Sequence, residues 1–132
     1  MPQLTLTTLA DGPRNAITHA SFLSDGSGDL VDVDLINPMD FNPPMPPRPA
    51  LNIYRLWYDF TGFDARLEFD YLSSDTPIWT MSGGRSNQID FEMIGGLTDR
   101  SNELDGSGKL QITTSGFDAG DFGTLIIWAR KS

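Results

Sequence analysis

The chain has 132 residues, no cysteine, and 18 Asp and Glu against nine Lys and Arg, a formal net charge of −9. That length is one domain with room for a core that needs neither disulfide nor metal, and the missing thiols exclude disulfides, thiolate zinc sites and a cysteine nucleophile. The charge repels a phosphate backbone, so nucleic acid is not an expected partner; nor is a membrane, because no stretch nears the roughly 20 apolar residues of a spanning helix and the start, MPQLTLTTLADGPRN, lacks the basic-then-apolar pattern of a signal peptide.

A soluble protein made in a cytoplasm is the expectation. Fifteen of the acids are Asp and three are Glu, a skew that favours turns and strand ends over helices. Residues 3–9 are a weak strand candidate inside an N-terminal arm, 1–14, that does not read as core. Residues 17–23 are a second weak strand and carry the one histidine, His19. With no nucleophile-elbow sequence in the chain, His19 reads as a bystander rather than the centre of a Ser-His-Asp arrangement. Asp25, Ser27 and Asp29 have the spacing that opens an EF-hand, but Leu30 stands where Gly is needed and Ile36 where Glu is needed. A solvated turn is expected there, with a different calcium site on Asp25 or Asp29 as the alternative, and metal binding is not predicted.

Val31, Val33 and Leu35 alternate with Asp32 and Asp34, the period of a half-buried strand. Residues 37–50, NPMDFNPPMPPRPA, hold six prolines in fourteen positions and so cannot supply ladder hydrogen bonds. Three readings stay open: a stiff connector between sheets, a strap carrying Met39, Phe41 and Met45 onto a neighbouring subunit, or a ligand for proline-recognition modules. Ile53, Tyr54, Leu56, Trp57, Tyr58 and Phe60 make the next run apolar on both faces, as do residues 125–128 at the end of the chain. Such strands are central in a sheet or covered by a partner.

Phe63, Ala65, Leu67, Phe69 and Tyr71 alternate strictly with Asp64, Arg66, Glu68 and Asp70, so one face is core and the other meets water. Between these two strong strands Asp59-Phe60-Thr61-Gly62 reads as a tight turn with Gly62 at positive φ, which makes 51–71 a hairpin. Residues 78–81 are a weak strand, and Ile89, Phe91 and Met93 alternate with Asp90 and Glu92 in another. Residues 118–123 are expected to close a second hairpin between strands 110–114 and 125–128. Their Asp-Phe-Gly triplet is no kinase signature, because the companion motifs are missing. The tetrapeptide DGSG at 25–28 and again at 105–108 reads as two equivalent turns, each before a strand.

The predicted fold is all-β: an antiparallel β-sandwich, jelly-roll-like, with about nine strands and no significant helix. It forms a single domain, 1–132, with the arm 1–14 and the proline-rich connector 37–50 attached. The carboxylate pairs Asp32 with Asp34, Glu68 with Asp70 and Asp90 with Glu92 would stand about 7 Å apart on one strand, within the range glycosidases use. Any water-facing strand shows that spacing, so a solvated face is the reading. Trp57, Trp79 and Trp128, with Tyr54 and Tyr58, fit core, a subunit interface or a flat platform for sugar rings. No catalytic, cofactor-binding or metal-binding residue is assigned, no cofactor is expected, and the chain is not expected to be an enzyme.

The stretch 51–71, LNIYRLWYDFTGFDARLEFDY, with its succession of Arg-x-Trp-Tyr, Gly-Phe and Leu-Glu-Phe-Asp, resembles small structural proteins of tailed bacteriophages. Residues 106–131, GSGKLQITTSGFDAGDFGTLIIWARK, resemble the same group in their Gly-Asp hairpin and final apolar strand closed by Arg-Lys. With 17–36 added, the resemblance covers most of the chain outside the arm and the proline segment. It implies a virion component on the capsid outer surface, a head decoration or cement protein that binds the major capsid protein as a homo-oligomer, a trimer favoured. It transfers no catalytic motif. The rivals are a tail, fibre or knob subunit and a carbohydrate-binding β-sandwich module. The candidate interface residues are Leu4, Leu6, Leu9, Met39, Phe41, Met45, Arg48, Trp57, Tyr58 and Trp128. The two doubly apolar strands further predict that part of the sandwich's outer surface is covered by another copy or by the shell.

Overall fold

The computed structural model describes residues 3–12, 14–37, 51–71, 76–98 and 106–130. They form an antiparallel β-sandwich. The strands are β1 (Leu4–Asp11), β2 (Asn15–Leu23), β3 (Val33–Ile36), β4 (Asn52–Phe60), β5 (Asp64–Tyr71), β6 (Thr76–Met81), β7 (Arg85–Asp90), β8 (Leu97–Thr98), β9 (Gly106–Ser115) and β10 (Phe122–Arg130). One sheet runs β1-β2-β10-β4-β7, with the two-residue β8 also paired to β4, and the other runs β3-β9-β5-β6. Among the described residues there is no α-helix, only a 3-10 turn at Glu92–Ile94.

Alternation explains which side chains meet between the sheets. Ala16, Ala20 and Phe22 of β2, Leu125, Ile127 and Ala129 of β10, and Leu56, Tyr58 and Phe60 of β4 face Ala65, Leu67 and Phe69 of β5 and Leu110 and Ile112 of β9, all buried. Each large side chain removed from water stabilises the fold by roughly 1.5–3 kcal/mol before the entropy of ordering is counted. At one end of this core Phe22, Phe60, Phe63 and Phe117 pack ring to ring, with centroids 4.7 Å apart for Phe60 and Phe63 and 4.6 Å for Phe63 and Phe117. The strict alternation of 63–71 therefore describes β5 well on its core side.

Neither expected long hairpin forms. β4 lies in the six-stranded sheet between β10 and β7, and β5 lies in the four-stranded sheet between β9 and β6, so the Asp59-Phe60-Thr61-Gly62 segment is a corner between layers. Phe60 and Phe63 both point into the core from opposite sheets, which a hairpin would not allow. Gly62 is not among the residues with positive φ. The chain between β9 and β10 crosses layers in the same way, and Asp29 anchors that crossing by accepting the Phe117 N–H at 2.8 Å.

Three further expectations need correction. Val31 is 66% exposed and Asp32 has φ of 50°, so the strand begins only at Val33. Met93 is fully exposed because β7 stops at Asp90 and the backbone turns through the 3-10 segment to Gly95 at φ 83°. Residues 106–108, read as a turn, are the start of β9, while the turn at 25–28 is present and Asp25 accepts both the N–H and the hydroxyl of Ser27.

Candidate functional site

The outer face of the six-stranded sheet is the most unusual surface of the described chain. Ile126 on β10 stands opposite His19 on β2 and Trp57 on β4, and Trp128 stands opposite Ile17 and Arg55. Paired residues of antiparallel strands point the same way, so Ile17, His19, Trp57, Ile126 and Trp128 share one face, each half-buried. An antiparallel sheet with one side to water normally alternates to polar residues here. This one presents a belt of large apolar side chains across its three central strands.

Arginines fix the aromatic part of the belt. The Arg55 guanidinium lies 5.7 Å from the Trp128 ring centroid and 3.3 Å from Asp90 Oδ2. The Arg130 guanidinium lies 4.3 Å from the Tyr54 ring centroid and pairs with Glu92. Each cation is thus held by a carboxylate while it covers a ring, an attraction of about 0.5–1 kcal/mol at exposed sites. Two hydrogen bonds keep the Asp90 carboxyl below the usual carboxylate range: the backbone N–H of Glu92 first, then Arg55. His19 Nε2 is 2.5 Å from Thr124 Oγ1 on the same face.

The sequence candidates divide accordingly. Trp57 and Trp128 lie on the belt. Tyr58 does not: it is 3% exposed, stacked on Phe60 in the core at 5.4 Å, and its place as an interface residue is withdrawn. The reason is alternation: Trp57 points outward, so its neighbour Tyr58 points inward, and the register shift that pairs Trp128 with Arg55 but Ala129 with Ile53, leaving Tyr54 as the extra residue, lets Ile53 face inward as well. Inward positions then fall at Ile53, Leu56, Tyr58 and Phe60. On β1, Leu4 is half-buried and Leu6 and Leu9 are 43% and 54% exposed. Met39, Phe41, Met45 and Arg48 lie outside the described residues. Sequence reasoning missed Ile17, Ile126, Arg55 and Arg130, and the last two had no linear signal, since each meets its ring only across strands.

The three tryptophans do not share a face. Trp79 belongs to β6 in the other sheet and packs edge-on against Phe91, with centroids 5.1 Å apart. The carboxylate pairs are also set apart: Asp90 and Glu92 are held by different arginines, and Glu68 is buried rather than solvated, accepting the Thr113 hydroxyl at 2.6 Å and pairing with Arg66 at 3.2 Å. A cleft of about 250 Å³ opens beside that cluster, lined by Asp64, Arg66, Thr80 and Thr113 among others, with Asp64 Oδ1 taken by the Gly83 N–H. Among the described residues no group of three His, Asp or Glu side chains converges closely enough to hold a metal ion.

No family model matches the sequence, and no curated protein matches it. Solved structures do align. A cupin superfamily protein from Desulfitobacterium hafniense is 16% identical over 95% of this chain and 75% of its own, with a TM-score of 0.34. A cupin domain from Bordetella pertussis is 12% identical over 99% and 95%, with a TM-score of 0.35. The polyketide cyclase RemF from Streptomyces resistomycificus is 12% identical over 97% and 65%, also at 0.35. Likenesses at this identity and TM-score assign this chain neither a family nor a function. The expectation that the chain is not an enzyme is withdrawn, because the lack of a recognised motif is no ground for excluding an activity. The resemblance to phage structural proteins rests on the sequence segments themselves.

Proposed function

We propose that the chain is a virion structural protein of a tailed bacteriophage, a decoration protein on the outer surface of the capsid that binds the major capsid protein lattice and stabilises the head. The observation that carries this reading is the apolar belt on the outer face of β2, β10 and β4, with Trp57, Trp128 and Tyr54 fixed in place beside Arg55 and Arg130. Trp, Tyr and Arg are the residues enriched at the centres of protein interfaces, and rings already held lose little freedom on binding. The two segments that resemble phage structural proteins, 51–71 and 106–131, contain β4 and β10, the strands that build the belt.

A lattice multiplies such a contact. A copy that binds the assembled shell and not its free subunits shifts the shell's equilibrium by mass action, and repeated copies add. Under this reading the chain is made in the host cytoplasm as a homo-oligomer and ends on the virion.

The test is binding of the purified chain to heads stripped of it. Wild-type protein is expected to co-sediment with expanded heads, and Trp57→Ala with Trp128→Ala to weaken binding by about tenfold or more, the loss typical of two interface anchors. Failure to bind, or absence of the chain from virions by mass spectrometry, overturns the reading. A copy number as low as that of the tail proteins would move it to the tail, fibre or knob.

A further inference from the structure

Among the described residues β1 pairs only with β2, so it is an edge of the six-stranded sheet, and residues 5–10 are all exposed. An edge strand leaves a row of backbone N–H and C=O groups open to another strand, and proteins usually guard it with charge, proline or shortness. β1 is eight residues long, and residues 4–10, LTLTTLA, carry no charge and no proline in a chain whose net charge is −9. The repulsion that keeps acidic copies apart elsewhere is absent along this edge. A register shift between Thr8 and Ala10 ends the regular part, leaving 4–8 as the open template.

Side-chain placement favours one occupant. Leu4 and Leu6 pair with Phe22 and Ala20, both buried, so they stand on the core side of the sheet. Leu6 is nonetheless 43% exposed, because the four-stranded sheet does not cover that edge. Thr5 and Thr7 pair with Ser21 and His19 on the outer side.

We infer that β1 pairs antiparallel with β1 of a second copy about a two-fold axis at Leu6, joining two six-stranded sheets into one. In that register Leu6 meets Leu6 of the second copy on the core side and covers it, while Thr5 meets Thr7 of the second copy on the outer side. Threonine pairs suit a sheet surface, and the isologous contact closes on itself. A two-fold axis at Thr7 would put Leu6 against Thr8 and leave it uncovered, and one at Thr5 would put Leu6 against Leu4 but pair only residues 4–6 of the open stretch 4–8. The pairing makes dimers, where the phage resemblance favoured trimers, and sets the two apolar belts side by side. It concerns how copies join and does not depend on what the belt binds.

Light scattering on the full chain after size exclusion is expected to give twice the mass of one chain. Thr5→Glu with Thr7→Glu sets carboxylates against each other across the joint and is expected to raise the dimer dissociation constant roughly tenfold. Thr5→Lys with Thr7→Glu sets opposite charges there and is expected to leave the constant near wild type. Both positions are exposed, and thermal melting should show the variants folded alike. The chain has no cysteine, so Leu6→Cys is a clean reporter and is expected to give a disulfide-linked dimer on oxidation. A monomer or trimer by light scattering, a dimer indifferent to Thr5→Glu with Thr7→Glu, or no cross-link from Leu6→Cys overturns the inference.

Discussion

Gly123 on β10 lies tight against β4, and a Cβ there would lie 2.5 Å from Phe60 Cδ1 and 2.9 Å from the Asp59 carbonyl oxygen. Backbone cannot yield as a flexible side chain does, so Gly123→Ala is expected to cost about 1–3 kcal/mol through overpacking. A lower urea midpoint at unchanged slope would register it. Asp90 offers a pH readout. Its folded pKa is depressed by the Glu92 N–H and by Arg55, so its contribution is present above the unfolded value and is lost as pH falls through the folded one. In an NMR titration its midpoint should lie below that of an unstructured Asp and rise in Arg55→Ala; an unmoved midpoint would mean the arginine does not hold it. Glu68→Ala, which strips the Thr113 hydroxyl and Arg66 of a buried acceptor, is expected to cost about 1–3 kcal/mol.

Among the elements, β5 was legible because nine residues kept one period and its core side needed no knowledge of the partner strand. β4 and β10 announced themselves as doubly apolar, and both proved central in the larger sheet. What failed was partnership. A turn sequence such as Asp59-Phe60-Thr61-Gly62 reports that the chain reverses or bends, and only the competition among distant strands decides whether the next strand joins the same sheet. The site was half-legible for a related reason: Trp57 and Trp128 stood out, whereas a doubly apolar run does not tell which of the neighbours Trp57 and Tyr58 faces the core, and the arginines meet their rings only across the fold. The belt and the core should separate in experiment. Leu67→Ala, fully buried, is expected to lose about 2–5 kcal/mol. Arg130→Ala removes an exposed ion pair and ring contact and is expected to change stability by less than about 1 kcal/mol while weakening binding at the belt.

For the whole molecule, the distribution of surface character matters more than its total. In a chain with nine excess negative charges, the apolar belt across β2, β10 and β4 and the uncharged stretch 4–10 of β1 stand out among the described residues as places where like charges do not crowd. One suits a large flat partner and the other suits a copy of the chain. The most direct measurement is a cryo-electron microscopy map of the phage particle. The belt should lie against the major capsid protein, with Trp57 and Trp128 inside the contact. A particle without the chain, or a bound chain whose β2-β10-β4 face is open to solvent, would contradict it.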